Sequence, residues 1–415
     1  MKELKGAVIF GQSGGPSSVI NSSAAGVFIE ALKHRDVITK IYGAAHGIKG
    51  ILDENFYDID AEDMKELELL KNTPSSALGS VRYKLKPADV DETDYKRLLE
   101  VFKKYDIRYF FYNGGNDSMD TCNKVSKYMQ KSGYECRVIG VPKTIDNDLW
   151  GTDHCPGYGS AAKYIATSIM ELKLDSTVYN TGMVCVIEVM GRNAGWLTAA
   201  AELAKVKGLG PDLIYLPETI FDIEQFKASV KEICAKNNNK CMIVISEGIR
   251  NADGRYIGEF AASSTDLFGH AQLGGVGSML ANMINAELGV KVRAIEFSLL
   301  QRCAAHLASK VDVEEAFAAG AAAVKYALAG ETDRMVILKR EPGKEYKCVP
   351  ATMDVALAAN TEKKIPAEWI LPDGKGLTQE FVDYALPLIQ GDSKAPLEDG
   401  LPRFARLAKV KAGKK

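Results

Sequence analysis

The sequence predicts an α/β protein, and three observations carry that reading. Short apolar runs recur along the 415 residues, at Gly6–Phe10, Ile107–Tyr112, Arg137–Val141, Val184–Val189 and Cys241–Ile245. The first two lead through a glycine-rich turn into a helical pattern, which is the strand–loop–helix unit of a parallel sheet. Polar residues gather just past the carboxyl ends of the runs, where open parallel sheets place their ligands.

Each element follows from local composition. Gly6–Phe10 runs into Gly11-Gln12-Ser13-Gly14-Gly15, and Ser18–Ile29 continues as a helix whose small residues allow close packing. Glycines in such a turn let backbone N–H groups approach an anion, and the helix directs its positive end to the same place. Plain tight-turn duty explains this unit equally well. Ile107–Tyr112 ends in Asn113-Gly114-Gly115-Asn116-Asp117, with a helix from Ser118 onward. Arg137–Val141 enters Pro142-Lys143-Thr144-Ile145-Asp146-Asn147-Asp148, Val184–Val189 ends in Met190-Gly191-Arg192, and Cys241–Ile245 ends in Ser246-Glu247-Gly248. Asp153–Ser160 reads as a hinge or a domain boundary, after which a helix over Ala161–Leu172 opens a second domain. The alanine-rich Asp312–Ala329 stretch reads as a tightly packed helix. Residues from 341 onward, rich in proline and charge, read as peripheral, and Lys409–Lys415 as a frayed basic tail.

Composition narrows the class. Hydrophobic residues make up 46% and charged residues 26%, in the range of soluble globular proteins. A net charge of -2 gives no general attraction to nucleic acid or anionic membrane, so phosphate binding must come from local cations and backbone N–H groups. The eight cysteines form no C-x-x-C pair, which disfavours structural zinc and favours reduced cytoplasmic thiols. Met1-Lys2-Glu3 leads straight into a strand, with no apolar stretch suited to secretion or membrane spanning.

The richest chemistry lies between Lys143 and Asp148. Attack of a hydroxyl on phosphorus needs a base for its proton and cations for the transferring oxygens. Asp146 and Asp148, two apart in a loop, suit a base and an orienting or metal-binding partner. Turn formation and helix capping explain one aspartate but not the whole set with Lys143 and Thr144. Arg192 suits a phosphoryl oxygen pair or a surface carboxylate; Glu247 suits sugar hydroxyls or a helix cap. Arg302 suits a phosphate dianion or a buried acid, and His306 either joins it or is structural.

Five ordered segments resemble the phosphofructokinase family, in particular its pyrophosphate-dependent branch. They are Ser13-Gly14-Gly15, Leu78-Gly79-Ser80-Val81-Arg82, Gly114-Gly115-Asn116-Asp117-Ser118, Pro142 to Asp148, and Glu188-Val189-Met190-Gly191-Arg192, spread over roughly the first 330 residues. The resemblance implies two three-layer domains with mostly parallel sheets and an active site in the cleft between them. Residues 1–157 with part of about 300–330 would bind the donor; 158–300 with part of about 331–415 would bind the sugar phosphate. It implies reversible, magnesium-dependent transfer from pyrophosphate to the 1-hydroxyl of fructose 6-phosphate by a homodimer or homotetramer. Asp146 would be the base; Gly14, Gly15, Arg82, Asp117 and Lys143 would face the donor. Thr144, Asp146, Met190, Gly191, Arg192, Glu247, Arg302 and His306 would face the sugar phosphate, and Asn116 with Asp146 the magnesium.

Asp117 and Lys143 sort the donors. ATP-dependent relatives resemble Gly-Gly-Asp-Gly-Ser and Pro-Gly-Thr-Ile-Asp at these places. A carboxylate at 117 repels an inner nucleotide phosphate, while the Lys143 ammonium attracts the smaller donor. Three departures stand out. Asn116 replaces an acidic residue, Met183 stands where many relatives place an inter-subunit arginine, and Gly269–Leu288 looks longer than in compact bacterial enzymes. The rival readings are an ATP-dependent sugar-phosphate or nucleoside kinase of this fold and a weakly catalytic regulatory subunit.

Overall fold

The structure is a computed structural model that describes residues 4–260, 275–359 and 361–413. Its longer strands are β1 (Gly6–Gln12), β2 (Ile38–Ala44), β3 (Phe56–Asp58), β4 (Ile107–Gly114), β5 (Arg137–Pro142), β6 (Val184–Val189), β7 (Leu213–Tyr215), β8 (Cys241–Ser246), β9 (Val292–Glu296), β10 (Arg334–Arg340) and β11 (Cys348–Asp354). They form two sheets, ordered β11-β10-β5-β4-β1-β2-β3 and β7-β8-β6-β9. The second is parallel throughout, and the first is parallel except for β3 and β11 at its edges. The predicted α/β class with two mostly parallel sheets is what the chain adopts.

The five predicted strands were legible because burial on both faces turns a parallel strand into a continuous apolar run. All seven residues of β1 and all six of β6 and β8 are buried. Edge strand β9 is largely exposed and left no such run. In register, Phe10 lies opposite Gly43 and Phe111, and Asn113 opposite Val141. The turns after β1, β4 and β5 therefore end level with one another. β1 sits between β2 and β4, and β6 between β8 and β9, so each sheet has a switch point where a crevice opens.

Helix Ile20–Leu32 starts where Ser17 Oγ accepts from the Ile20 N–H at 3.0 Å. It packs against helix Lys310–Leu328 through two glycines. A Cβ at Gly26 would lie 2.1 Å from the Phe317 carbonyl oxygen, and one at Gly320 would lie 2.0 Å from that of Ser23. Only hydrogen side chains permit this approach.

Three expectations change. Asp153–Ser160 is no loose hinge, because the Gly157 and Ser160 N–H groups donate to the buried Asp312 carboxylate at 2.8 and 2.9 Å. The following helix accordingly starts earlier and ends later, at Tyr158–Thr177. The stretch from 341 is not peripheral: β11 pairs along β10, and Phe381, Ala385 and Leu388 enter the core of the second domain. The basic tail is docked as far as it is described, with Lys409 N–H donating to Glu62 and Ala412 N–H to Phe56 O. Residues 269–274 of the lengthened segment lie outside the described residues; helix Val276–Leu288 carries the rest. No described helix is long and apolar enough to cross a membrane.

Candidate active site

The turns after β1, β4 and β5 meet those after β6, β8 and β9, and Lys143 lies where they converge. Its side chain is 5% exposed and its Nζ donates to the Gly15 carbonyl at 2.6 Å. Burial pulls the ammonium down to about 8; Asp146 and Asp148 favour its charge, while Arg302 and Arg82 oppose it. Gly14 takes a left-handed φ of 76°, and a Cβ there would lie 3.3 Å from Lys143 Nζ. A Cβ at Gly15 would lie 3.2 Å from an Arg302 guanidinium nitrogen. The glycine turn is thus shaped around two cations from distant parts of the chain. The Gly14 N–H donates to Val81 O at 3.3 Å and Ser80 Oγ to Gly14 O at 2.6 Å, which docks this turn beside exposed Arg82.

Asp146 follows Thr144, whose Oγ1 accepts from the Asp146 N–H at 3.1 Å. Burial raises the Asp146 carboxyl to about 6, Glu247 adds to the rise, and Lys143 opposes it. Asp148 is raised by burial and then by Asp146 and Glu362, so the two carboxyls titrate as a pair. Between them, Asn147 has a φ of 55° and both ends of its carboxamide bonded, to the Cys155 N–H and the Tyr384 hydroxyl, each at 2.8 Å.

The opposite wall is built by Glu247, Gly191 and Arg192. The Gly191 N–H reaches Glu247 Oε1 at 3.4 Å. Burial raises that carboxyl to about 7, with the Gly191 N–H and the Arg192 charge acting against it. The Met190 N–H donates to buried Gln301 Oε1 at 3.3 Å, so the residue before Arg302 holds the Met190 turn. Gln301 was missed as a site residue, although it adjoins Arg302.

Not every predicted residue joins this cluster. Asp117 stands at the rim, 65% exposed, with Lys84 Nζ 3.4 Å from its carboxylate. His306 is exposed, its ring edge-on to Tyr164 at 6.3 Å, and no polar contact ties it to the cleft among the described residues. Conversely, Glu362 raises both Asp146 and Asp148 and accepts from Asn193 at 3.1 Å. Nothing in the local sequence marked it.

Magnesium needs hard oxygen donors. Asn116 Nδ2 donates to Asp148 Oδ2 at 3.0 Å, while its Oδ1 is buried with no hydrogen-bond partner. That unpartnered oxygen, near the Asp146–Asp148 pair, fits such an ion. Elsewhere, His154, Glu315 and Cys348 bring potential ligand atoms within 4.8 Å of one another. The His154 ring nitrogens contact Asp153 Oδ1 at 2.9 Å and Glu315 Oε2 at 2.6 Å. Burial disfavours the imidazolium, but the two carboxylates outweigh it and lift the ring to about 9. A histidine protonated on both nitrogens has no lone pair for a metal.

The chain belongs to the phosphofructokinase family, whose profile, described as phosphofructokinase, matches residues 7–327. It is 46% identical over 409 residues to the pyrophosphate–fructose 6-phosphate 1-phosphotransferase of Halomonas elongata, covering 98% of this chain and 97% of that relative. The crystal structure of a pyrophosphate-dependent phosphofructokinase from Marinobacter aquaeolei superposes with a TM-score of 0.88 at 42% identity, over 99% of this chain and 98% of the other. That from Nitrosospira multiformis gives 0.89 at 41%, with the same coverage.

Proposed function

We propose that this chain transfers a phosphoryl group reversibly from pyrophosphate to the 1-hydroxyl of fructose 6-phosphate, giving fructose 1,6-bisphosphate and phosphate. The observation that carries the reading is the buried Lys143 ammonium on the floor of the glycine cradle, beside the half-buried Asp146 carboxyl. The names and extents of the relatives above support it.

In this reading the Asp146 carboxylate takes the proton of the 1-hydroxyl as that oxygen bonds to the nearer phosphorus. The bridging P–O bond breaks and phosphate leaves. Lys143, Arg82 and Arg192 stabilise the equatorial and leaving oxygens, and Glu247, Met190 and Gly191 position the sugar below its phosphate at Arg302. Asn116 Oδ1, with Asp146, would hold magnesium, which supplies charge neutralisation to the donor when bound. Asp117 is exposed and paired with Lys84, so its repulsion of a nucleotide phosphate at ~4 Å amounts to about 1 kcal/mol in water. Lys143 therefore carries more of the donor choice than Asp117.

The active form is a homodimer or homotetramer in this reading. The eight cysteines are free and six of them buried, which suits a reducing cytoplasm. The test is turnover of the purified full chain with magnesium, fructose 6-phosphate and either pyrophosphate or ATP. Fructose 1,6-bisphosphate formed faster from pyrophosphate is the expected result; faster formation from ATP overturns it, and no turnover by the chain alone favours a regulatory subunit.

A further inference from the structure

The residues at the heart of the site lie within the family match, but part of what holds them lies beyond it. Asn147 sits between Asp146 and Asp148 in a left-handed conformation that few non-glycine residues adopt. Its buried carboxamide is used at both ends. Oδ1 accepts from the Cys155 N–H, and Nδ2 donates to the Tyr384 hydroxyl at 2.8 Å, from a residue 237 positions away. That hydroxyl in turn donates to the Asp153 carbonyl at 2.8 Å. One phenol therefore ties both arms of the catalytic loop.

Tyr384 is itself held firmly. It lies on helix Gln379–Ala385, its ring centroid 5.3 Å from those of Trp196 and Trp369. Arg340 stacks over it at 5.0 Å and donates to its carbonyl at 3.0 Å. Burial raises the phenol well above its ordinary value, so it stays protonated and keeps its donor through the working pH range. Lys363 reinforces the loop from the same segment, its N–H donating to Asp148 O and its Nζ to Asp153 O, both at 2.7 Å.

We infer that Tyr384 is a positioning residue for phosphoryl transfer: its hydroxyl fixes Asn147, and Asn147 aims the adjacent Asp146 carboxylate at the sugar hydroxyl. This inference rests on Asp146 being the base. Small displacements of a general base reduce turnover steeply while leaving groups that only bind substrate in place. The effect should therefore fall on kcat and spare KM.

The test is Tyr384→Phe in the full chain, which keeps the ring stack and removes only the hydroxyl. Expected is a roughly five- to ten-fold lower kcat, with KM for pyrophosphate and fructose 6-phosphate within about two-fold. In an Asn147→Ala background, which should itself lower kcat with KM held, Tyr384→Phe should cost little more, because the bond to Asn147 is already gone and only the one to the Asp153 carbonyl remains to be lost. Should Tyr384→Phe fold poorly, Asn147→Ala alone carries the same expected kcat-against-KM split. Unchanged kcat, additive losses, or a loss confined to KM overturns the inference. Asp146→Asn separates the two readings: if it retains full turnover the base assignment fails, whereas if it is inactive and Tyr384→Phe is silent only the positioning role fails.

Discussion

Replacing Lys143 by methionine removes one charge while keeping most of the side-chain volume. Lys143 Nζ lies in the floor of the donor cradle, 2.6 Å from Gly15 O and enclosed by protein. A unit charge ~4 Å from a transferring phosphoryl oxygen, at an effective dielectric of about 20, contributes about 4 kcal/mol. Part of that attraction exists before reaction, so the loss in kcat should be roughly 10²- to 10³-fold, as for deletion of one oxyanion donor. A second signature follows from the neighbouring carboxyl. The Lys143 charge holds the Asp146 pKa down, so Lys143→Met should move the acid limb of kcat/KM upward from its starting value near 6. In the unaltered chain an alkaline limb should lie near 8, where Lys143 loses its proton, and Lys143→Arg should abolish that limb. The assay is NADH-coupled detection of fructose 1,6-bisphosphate from pH 5 to 9.5 at saturating magnesium. A kcat within about three-fold of the starting enzyme, together with an unmoved acid limb, would refute the placement of this ammonium at the transferring group.

Three other expectations follow from the same geometry. Asp146→Asn should lower kcat by about 10²-fold or more yet raise the melting temperature by a few degrees at pH 8. The Asp146 carboxyl titrates near 6 when folded against an ordinary 3.8, so it favours folding fully below 3.8 and loses that contribution as pH rises through 6. Thermal melts at pH 5 and pH 8 check the sign, since the gain should shrink at the lower pH. Asn116→Ala removes the unpartnered Oδ1 and should raise the half-saturating magnesium concentration about ten-fold, read from initial rates at fixed total pyrophosphate. Gly26→Ala would drive a Cβ to within 2.1 Å of Phe317 O and should destabilise the chain by about 1–3 kcal/mol, visible as a lower denaturant midpoint.

The chemistry around Lys143 was legible because it is local. Lys143, Thr144, Asp146 and Asp148 lie within six consecutive positions, and a cluster so polar at a strand end has few structural uses. The doubly buried strands were legible for a similar reason, since burial on both faces writes itself into consecutive residues. Strand β2, next to the edge, and the edge strands β9 and β11 have mixed or partial burial, so their composition carries no comparable run. His306 shows a limit of such local reading: its closeness to Arg302 in sequence did not foretell that a short helical turn sets its exposed ring edge-on to Tyr164.

Sequence alone settled the α/β class and singled out the glycine turn and the lysine and carboxylates of one loop as candidates, because each depends on neighbours a few residues apart. Tertiary structure decided that Arg302 meets Gly15, that Glu362 faces Asp146 and Asp148, and that Tyr384 grips Asn147. Those relations depend on where two sheets and a distant C-terminal segment come to rest. Charge and hydrogen bonding act through distances of a few ångströms, whatever the separation along the chain.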